Sequence, residues 1–590
     1  MLGVRMQEFR RFRLPVAAIG LAAVAIIAAA VSPILLNSKG TLVALKPPKE
    51  TPPVISMGER EFLWEVEHHG NVLGKQGFKP FAQALAAANR EALLAMLSAN
   101  FAASDLGRPK EVRRADSNLE VLRRQDGGSP AIALSREEFV DWLLHYRRIF
   151  HKPPKVQMKY ATLSPESREN LDIAWAGRAL LILQGEAAPG QPAEVEIRLN
   201  YRLDRPTAEN LSRGGWLRNL HVTQTQEARA RRFLLREVAR ERGIDTSGFY
   251  DTWTSPEGFI FSGGVYLCDF NRDGYIDVLL TDYNQKVILY KGGPDGKFTD
   301  ATREVGLPEK WPPGFSGVAA IADLDGDGWE DVIVPPKVFR NVEGKRFEEV
   351  TDRCNLKFPL RFNGVTFADY NRDGLIDIYF TVDSQPLEGS WIDGKCGKGA
   401  GNHLWRNKGN WQFEDVTAES GTDGDNRSTF AAAWFDANND GWPDLFVPNE
   451  FGNGVLLINQ RNGKFKPQPL ADAPTDFGSM GVITGDFDND GHIDLYVANM
   501  YSKAGSRIIG NLKPDAYPPE VMTRLRRLVA GSQLHRNRGG LKFEQLGPAL
   551  QVDTVGWAYG PGVMDLDNDG YLDLFAPCGY FSRNRDNLDG

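Results

Sequence analysis

Six stretches of this chain set oxygen-bearing side chains at every second position around one glycine, a donor set that suits a hard divalent cation. The first reads D-F-N-R-D-G-Y-I-D and offers Asp269, Asn271, Asp273 and Asp277, with the Tyr275 backbone carbonyl between the last two. The second offers Asp323, Asp325, Asp327, Trp329 and Asp331, and the third Asp369, Asn371, Asp373, Leu375 and Asp377. Asp436, Asn438, Asp440, Trp442 and Asp444 follow, then Asp486, Asp488, Asp490, His492 and Asp494, and last Asp565, Asp567, Asp569, Tyr571 and Asp573. Positions 1, 3, 5 and 9 give side-chain oxygens, position 7 its backbone carbonyl, and glycine at position 6 allows the sharp turn. Calcium takes six to eight such oxygens, so up to six Ca2+ ions are expected. An EF-hand begins alike but needs a bidentate Glu at position 12. Here position 12 is Leu280, Val334, Phe380, Val447, Val497 or Ala576, each within an apolar strand, which excludes it. One copy alone would read as an Asp/Asn/Gly hairpin turn. Six copies that all keep the final Asp do not.

The elements that must hold these loops repeat with them. After each of the first five loops comes a hydrophobic strand, then Asn or Gly, then Phe, as in LYKGGPDGKF, VFRNVEGKRF and LHRNRGGLKF. The interval from that Phe to the next loop stays between 21 and 25 residues, which marks one structural unit. Four strands per unit predict a mainly β fold, a calcium-loop β-propeller of six blades, with seven possible. Gly264, Val318, Gly364, Ala431, Gly481 and Gly560 lie five residues before each loop, mostly small residues suited to crowding near a central axis. The sixth unit lacks its own hairpin, and RRFLLREVARERGI (231–244) is expected to complete it and close the ring.

The chain has 590 residues, a net charge of −8 and no basic stripe, so two or three domains are expected and nucleic acid is not a partner. A basic segment (1–13) precedes an uncharged run from Leu14 to Leu36, long enough to span a bilayer. It reads as a retained single-pass anchor with the bulk outside the cytoplasm, in the periplasm or at the cell surface. A cleaved signal, with Ala28 and Ala30 near the cut, is the alternative and would give a secreted protein. A Pro-rich linker (37–59) leads to an α+β domain (60–228) and then to the repeats (229–590). In the α+β domain, 81–102 has helical periodicity and Ser135 opens a second helix with a capping box. Strands follow at VQMKYATL, ALLILQG, AEVEIRLNYRL and WLRNLHVTQT. This order resembles the nuclear transport factor 2-like cone fold. His68 and His69 read as surface residues.

The loops resemble those of integrin-type FG-GAP (VCBS) repeats, and FGSMGVITGDFDNDGHID (477–494) is close to that repeat throughout. LYVANMYSKAGSRI, GWAYGPGVMDLDNDGYLDLFAPCGY and the FEDVT strands resemble bacterial relatives of cartilage acidic protein, without the domain that usually follows the propeller. The resemblance implies a propeller and calcium, with the loop residues above as ligands, and a role in binding or adhesion to a protein or glycan. The alternative is a calcium-dependent polysaccharide hydrolase or lyase. No Ser/His/Asp or Cys/His motif supports catalysis, so no catalytic residues are assigned. Insertions at 382–402 and 500–531 carry Trp391, Tyr501, Tyr517 and Arg507, types favoured at recognition sites. His535 falls in the slot of Tyr290 and Trp405 and reads as structural. Of the four cysteines, Cys354 and Cys396 are expected to pair, and Cys268 and Cys578 either pair or stay as thiols.

Overall fold

The computed structural model describes residues 56–578, with the backbone of 35–36 and 42–43, apart from 116–117, 126–130, 234, 250–262, 283–285, 309–316, 360–361, 383–400, 425–426, 451, 469, 471–477 and 502. Residues 14–34 of the expected anchor at 14–36 lie outside these residues, and its last two, Leu35–Leu36, pair as a short strand with Leu42–Val43. Among the described residues no helix is long and apolar enough to cross a membrane. The chain divides into two compact units, with residues 54–236 and 503–517 in the first and 237–502 and 518–590 in the second.

The first unit is α+β. Helices α1 (Met57–Val72), α2 (Lys79–Ala86) and α3 (Arg90–Met96) lead to strands β1 (Leu97–Ser104), β2 (Lys110–Ala115), β3 (Leu119–Gln125) and β4 (Ala133–Leu134). Helix α4 (Arg136–Arg147) precedes β5 (Lys155–Pro165), β6 (Trp175–Ala188), β7 (Gln191–Leu203), α5 (Ala208–Arg213) and β8 (Leu217–Ala230). The sheet runs β2-β3-β8-β7-β6-β5 with every pair antiparallel, and β1 joins β8 in parallel. Strict alternation along β7 buries Val195, Ile197, Leu199, Tyr201 and Leu203, which meet Phe78, Phe81, Leu85 and Phe139 of the helices in one core. Ser135 makes the expected capping box with Glu138. The expected helix over 81–102 is cut in two. Ala88 takes a left-handed φ of 53°, the Asn89 side chain accepts from the Ala92 amide to start α3, and 97–104 becomes a strand beside β8. Residues 503–517, an insertion in the repeats by sequence, fold into this unit through α6 (Lys503–Asn511).

From residue 237 on, the described residues of the second unit form five four-stranded antiparallel sheets and a two-stranded one, each from consecutive strands. The first sheet is Val265–Cys268, Asp277–Thr281, Val287–Gly292 and Phe298–Asp300, and the pattern repeats to the sixth, Gly562–Met564 with Asp573–Phe575. Second strands are buried along their whole length, as in DVLLT, DVIV and DIYFTV. First strands of successive sheets lie side by side. A Cβ on Gly364 or Gly481 would come within 3 Å of the Phe430 or Tyr559 carbonyl. Small residues are needed there.

Residues 231–244 do not complete the sixth sheet: the described part of this segment forms no strand, and Phe233 is 55% exposed. The end of this segment and the chain just beyond it attach to the first sheet instead. The Phe298 amide donates to the Arg242 carbonyl at 2.7 Å and the Tyr290 hydroxyl to the Asp245 carbonyl at 2.8 Å. Ile244 and Phe249 pack on Val278, Leu280, Ile288 and Tyr290. That apolar face is the one each later sheet turns to its predecessor.

Candidate metal centres

Every acidic loop joins the first strand of a sheet to the second, and its final Asp opens the second strand. That Asp is a backbone clamp. Asp331, fully buried, accepts from the Leu324 amide at 2.9 Å and the Asn341 amide at 2.8 Å. Asp277, Asp377, Asp444 and Asp494 do the same with the amides of Phe270 and Gly292, Tyr370 and Asn407, Ala437 and Asn459, and Phe487 and Asn537. Burial pushes these carboxyls up, to about 6 for Asp277 and Asp444 and about 7 for Asp331 and Asp377.

The other ligand positions shape the turn. Asp269 accepts from the amides of Asp273 and Gly274, and Asp273 from that of Tyr275. Equivalent bonds recur at Asp323, Asp369, Asp436, Asp486 and Asp565. The position-7 amides of Trp329, Leu375, Trp442, His492 and Tyr571 bind the position-5 Asp in the same way. The His492 amide, chiefly, holds Asp490 below the usual carboxylate range. A basic side chain also reaches several loops: Lys291 to Asp273 at 3.4 Å, Arg340 to Asp325 and Asp327 at 2.8 Å, Arg461 to Asp440 at 2.9 Å, and Arg536 to Asp488 and Asp490.

The donors fit a cation. Carboxylate oxygens of Asp323, Asp325 and Asp331 lie within 4.8 Å of one another, as do those of Asp486, Asp488 and Asp494 and of Asp565, Asp567 and Asp569. Asp488 Oδ1 is buried without a hydrogen-bond partner, an oxygen that an ion would satisfy. Asn271 and Asn371 turn their amide nitrogens to Asp273 and Asp373, at 3.0 and 2.9 Å, so their oxygens also serve the loop turn.

Sequence reasoning missed a second repeating device. The Asn before each Phe is buried and spans two sheets. Asn407 Nδ2 donates to the Leu324 carbonyl in the preceding sheet's loop at 2.8 Å and to the Ile376 carbonyl at 3.1 Å, while its Oδ1 accepts from Gly409. Asn341, Asn459 and Asn537 reach Phe270, Tyr370 and Ala437 likewise. In the first sheet the position is Gly292.

Other candidates fall outside the loops. His69 is buried rather than at the surface, donating through Nδ1 to the Glu65 carbonyl and accepting at Nε2 from Arg205, and burial lowers its pKa. Arg507 is not presented to solvent but pairs with Glu67 at 2.8 Å and lies over the Tyr160 ring. Tyr501 and Tyr517 are half-buried, and Trp391 lies outside the described residues. Cys354 is a half-buried thiol, Cys268 a buried one pushed up to about 12, and Cys396 lies outside the described residues. Ser104 Oγ and His221 Nδ1 share a hydrogen bond between parallel strands β1 and β8, in a shallow cleft with Asn200, Arg202 and Asn219. Nothing in the sequence spacing signals that pair.

The repeated small sheets, each hung from an acidic loop, are the part of the chain that carries FG-GAP-like repeats. The FG-GAP-like repeat family matches residues 269–334, 396–447 and 436–497. The chain is similar to cartilage acidic protein 1 of Homo sapiens and Mus musculus, 29% identical in each case over 30% of this chain. It is also similar to that of Xenopus tropicalis, 28% identical over 54% of this chain. The aligned parts span about a quarter to a half of these relatives, at 24%, 25% and 48% of their lengths.

Proposed function

We propose that this chain is a calcium-binding β-propeller that acts outside the cytoplasm as an adhesion-type module for a protein or glycan, anchored by residues 14–36. The observation that carries the calcium reading is the recurrence of one donor pattern in six loops, three of which gather three carboxylates within 4.8 Å, with Asp488 Oδ1 left unsatisfied in one of them. Calcium would be held by positions 1, 3, 5 and 9 and the position-7 carbonyl, joining the loop to the second strand. When bound it supplies charge neutralisation and rigidity. The propeller reading of six blades, seven possible, draws on the side-by-side first strands and the close approach at Gly364 and Gly481. An NTF2-like cone for the first unit draws on its order of helices and antiparallel strands. The recognition reading draws on the similarity to FG-GAP repeats, on the insertion at 382–402 and on the part of the insertion at 500–531 that stays outside the first unit. Both leave the connection between second and third strands, at the sheet ends opposite the acidic loops.

Thermal melts of the protein in calcium and in chelator test the first part. Ions that bind only the folded state stabilise it by mass action, so Tm should fall by ten degrees or more, on the order expected for several kcal/mol. Coincident melts would remove calcium from the proposal. A glycan array and pull-down with the calcium-loaded protein test the recognition part.

A further inference from the structure

Position 4 of every acidic loop is left-handed, with φ of 53° at Arg272, 76° at Gly326, 58° at Arg372, 56° at Asn439, 57° at Asn489 and 58° at Asn568. That conformation is uncommon for a residue other than Gly or Asn, yet two of the six are arginines. In these loops the position-4 side chain supplies none of the cage oxygens. It reaches out to the next loop. The Arg272 guanidinium lies over the Trp329 ring, 5.1 Å from its centre, and Arg372 lies over Trp442 at 5.4 Å. Asn439 Nδ2 is 3.0 Å from both the Gly491 carbonyl and His492 Nδ1. Asn489 Nδ2 donates to the Gly570 carbonyl at 2.8 Å. In each case the receiving residue is position 6 or 7 of the following loop. Position 7 carries the carbonyl assigned to the ion, and position 6 is the glycine that turns the chain toward it.

We propose that the acidic loops load calcium cooperatively in series, each position-4 side chain passing the order of its own loop to positions 6 and 7 of the next. The inference rests on the calcium reading above. An ion that fixes one loop also fixes its position-4 residue, and the loop that residue touches then loses less freedom on binding its own ion. Coupling of this kind needs no change of shape, only a shared ordering cost. Gly326 has no side chain, and only the Leu375 tip comes within about 4 Å of where its Cβ would be. The series is therefore weak between the second and third loops. Loops one and two form one cooperative group and loops three to six another.

The test is calcium titration of the full chain, read by calorimetry and by native mass spectrometry that counts bound ions at each free calcium concentration. The wild type should load in two cooperative groups with Hill coefficients above 1. Arg272→Gly, Arg372→Gly, Asn439→Gly and Asn489→Gly copy what the second loop has naturally and keep the left-handed turn. Each should leave the ion count at saturation unchanged, lower the Hill coefficient of its group, and weaken the following loop about fivefold, the lower end of typical coupling. Gly326→Asn should do the reverse and merge the two groups, a gain that mere loosening of a loop does not produce. Wild-type curves from all five variants would overturn the coupling and leave calcium binding standing. No bound ions at millimolar calcium in the wild type would overturn the calcium reading itself.

Discussion

Asp331 accepts two backbone amides through its two oxygens, at 2.8 and 2.9 Å, before any ion is considered. Asp325, two positions from the loop's centre, accepts from one amide only, that of Asp327 at 3.1 Å, and pairs with Arg340. The two carboxylates should therefore fail differently. Asp331→Asn turns an NH2 group onto an amide N–H and should cost about 2 kcal/mol even in chelator, the usual penalty for an orphaned buried donor. Asp325→Asn keeps a side-chain oxygen for the Asp327 amide and should matter chiefly in calcium, where it removes a ligand's charge. Urea unfolding of both variants with and without chelator separates clamp from ligand, and equal losses in chelator would refute the division. His535 makes a second prediction at this scale. It is fully buried opposite Leu495, and neither ring nitrogen has a hydrogen-bond partner. Burial lowers its pKa to about 4, against 6.5 in the unfolded chain. Between those values the unfolded chain takes up a proton that the folded chain refuses. Stability should thus fall as pH drops from 6.5 to 4, by roughly 3 kcal/mol from this residue, and be level above 6.5. His535→Leu, which copies Leu457 in the fourth sheet, should remove that part of the slope. An unchanged difference between melts at pH 7.5 and 4.5 would count against it.

The second to fifth sheets are each joined to the preceding sheet by one buried Asn. Asn407→Ala should strand the Leu324 and Ile376 carbonyls and the Gly409 amide, and lower stability by about 3 kcal/mol in denaturant titration. Asn341→Ala, Asn459→Ala and Asn537→Ala should cost about the same, because they make the same bonds. An exposed Asn, such as Asn462, should tolerate the change. This joint was only half legible in the sequence, as an Asn or Gly before a Phe, because it links residues 71 to 100 positions apart. The acidic loops were legible because all their donors fall within nine residues and the requirement is chemical. The first four strands of the repeats and the Ser135 cap were legible for the same local reason. The helix over 81–102 misled because its periodicity continues through a break that Asn89 makes by capping α3. The segment 231–244 misled because it looks like the Phe-bearing segment that ends a repeat, whereas Ile244 and the following Phe249 pack on the first sheet.

At the scale of the whole molecule the chain does not fold in sequence order, since residues 503–517 belong to the first unit although repeats lie on both sides of them. No local pattern announces this, because their periodicity is that of any amphipathic helix. The fit is specific. Arg507 pairs with Glu67 at 2.8 Å and lies 4.5 Å above the Tyr160 ring. Asn511 Nδ2 donates to the Leu163 carbonyl at 3.1 Å, and its own carbonyl accepts from Arg168 at 2.6 Å. Glu59, nearly buried, takes a hydrogen bond from the Lys513 amide at 3.0 Å and an ion pair from Arg168 at 2.6 Å. Ile508, Ile509 and Leu512 are buried with them. Arg507→Ala in the full chain should cost about 2 kcal/mol, below the range for a fully buried pair because Glu67 keeps some water. A fragment of residues 54–236 lacks all of these partners, so Glu59 keeps only Arg168 and Tyr160 loses its cation. That fragment should unfold at lower denaturant than the same unit in the full chain. A synthetic peptide of residues 503–517 should restore the loss in a dose-dependent way, since it binds only the folded state. Arg507→Ala in that peptide should restore less at equal concentration. If the fragment is as stable alone as with the peptide, residues 503–517 are a passenger on this unit and not part of its core.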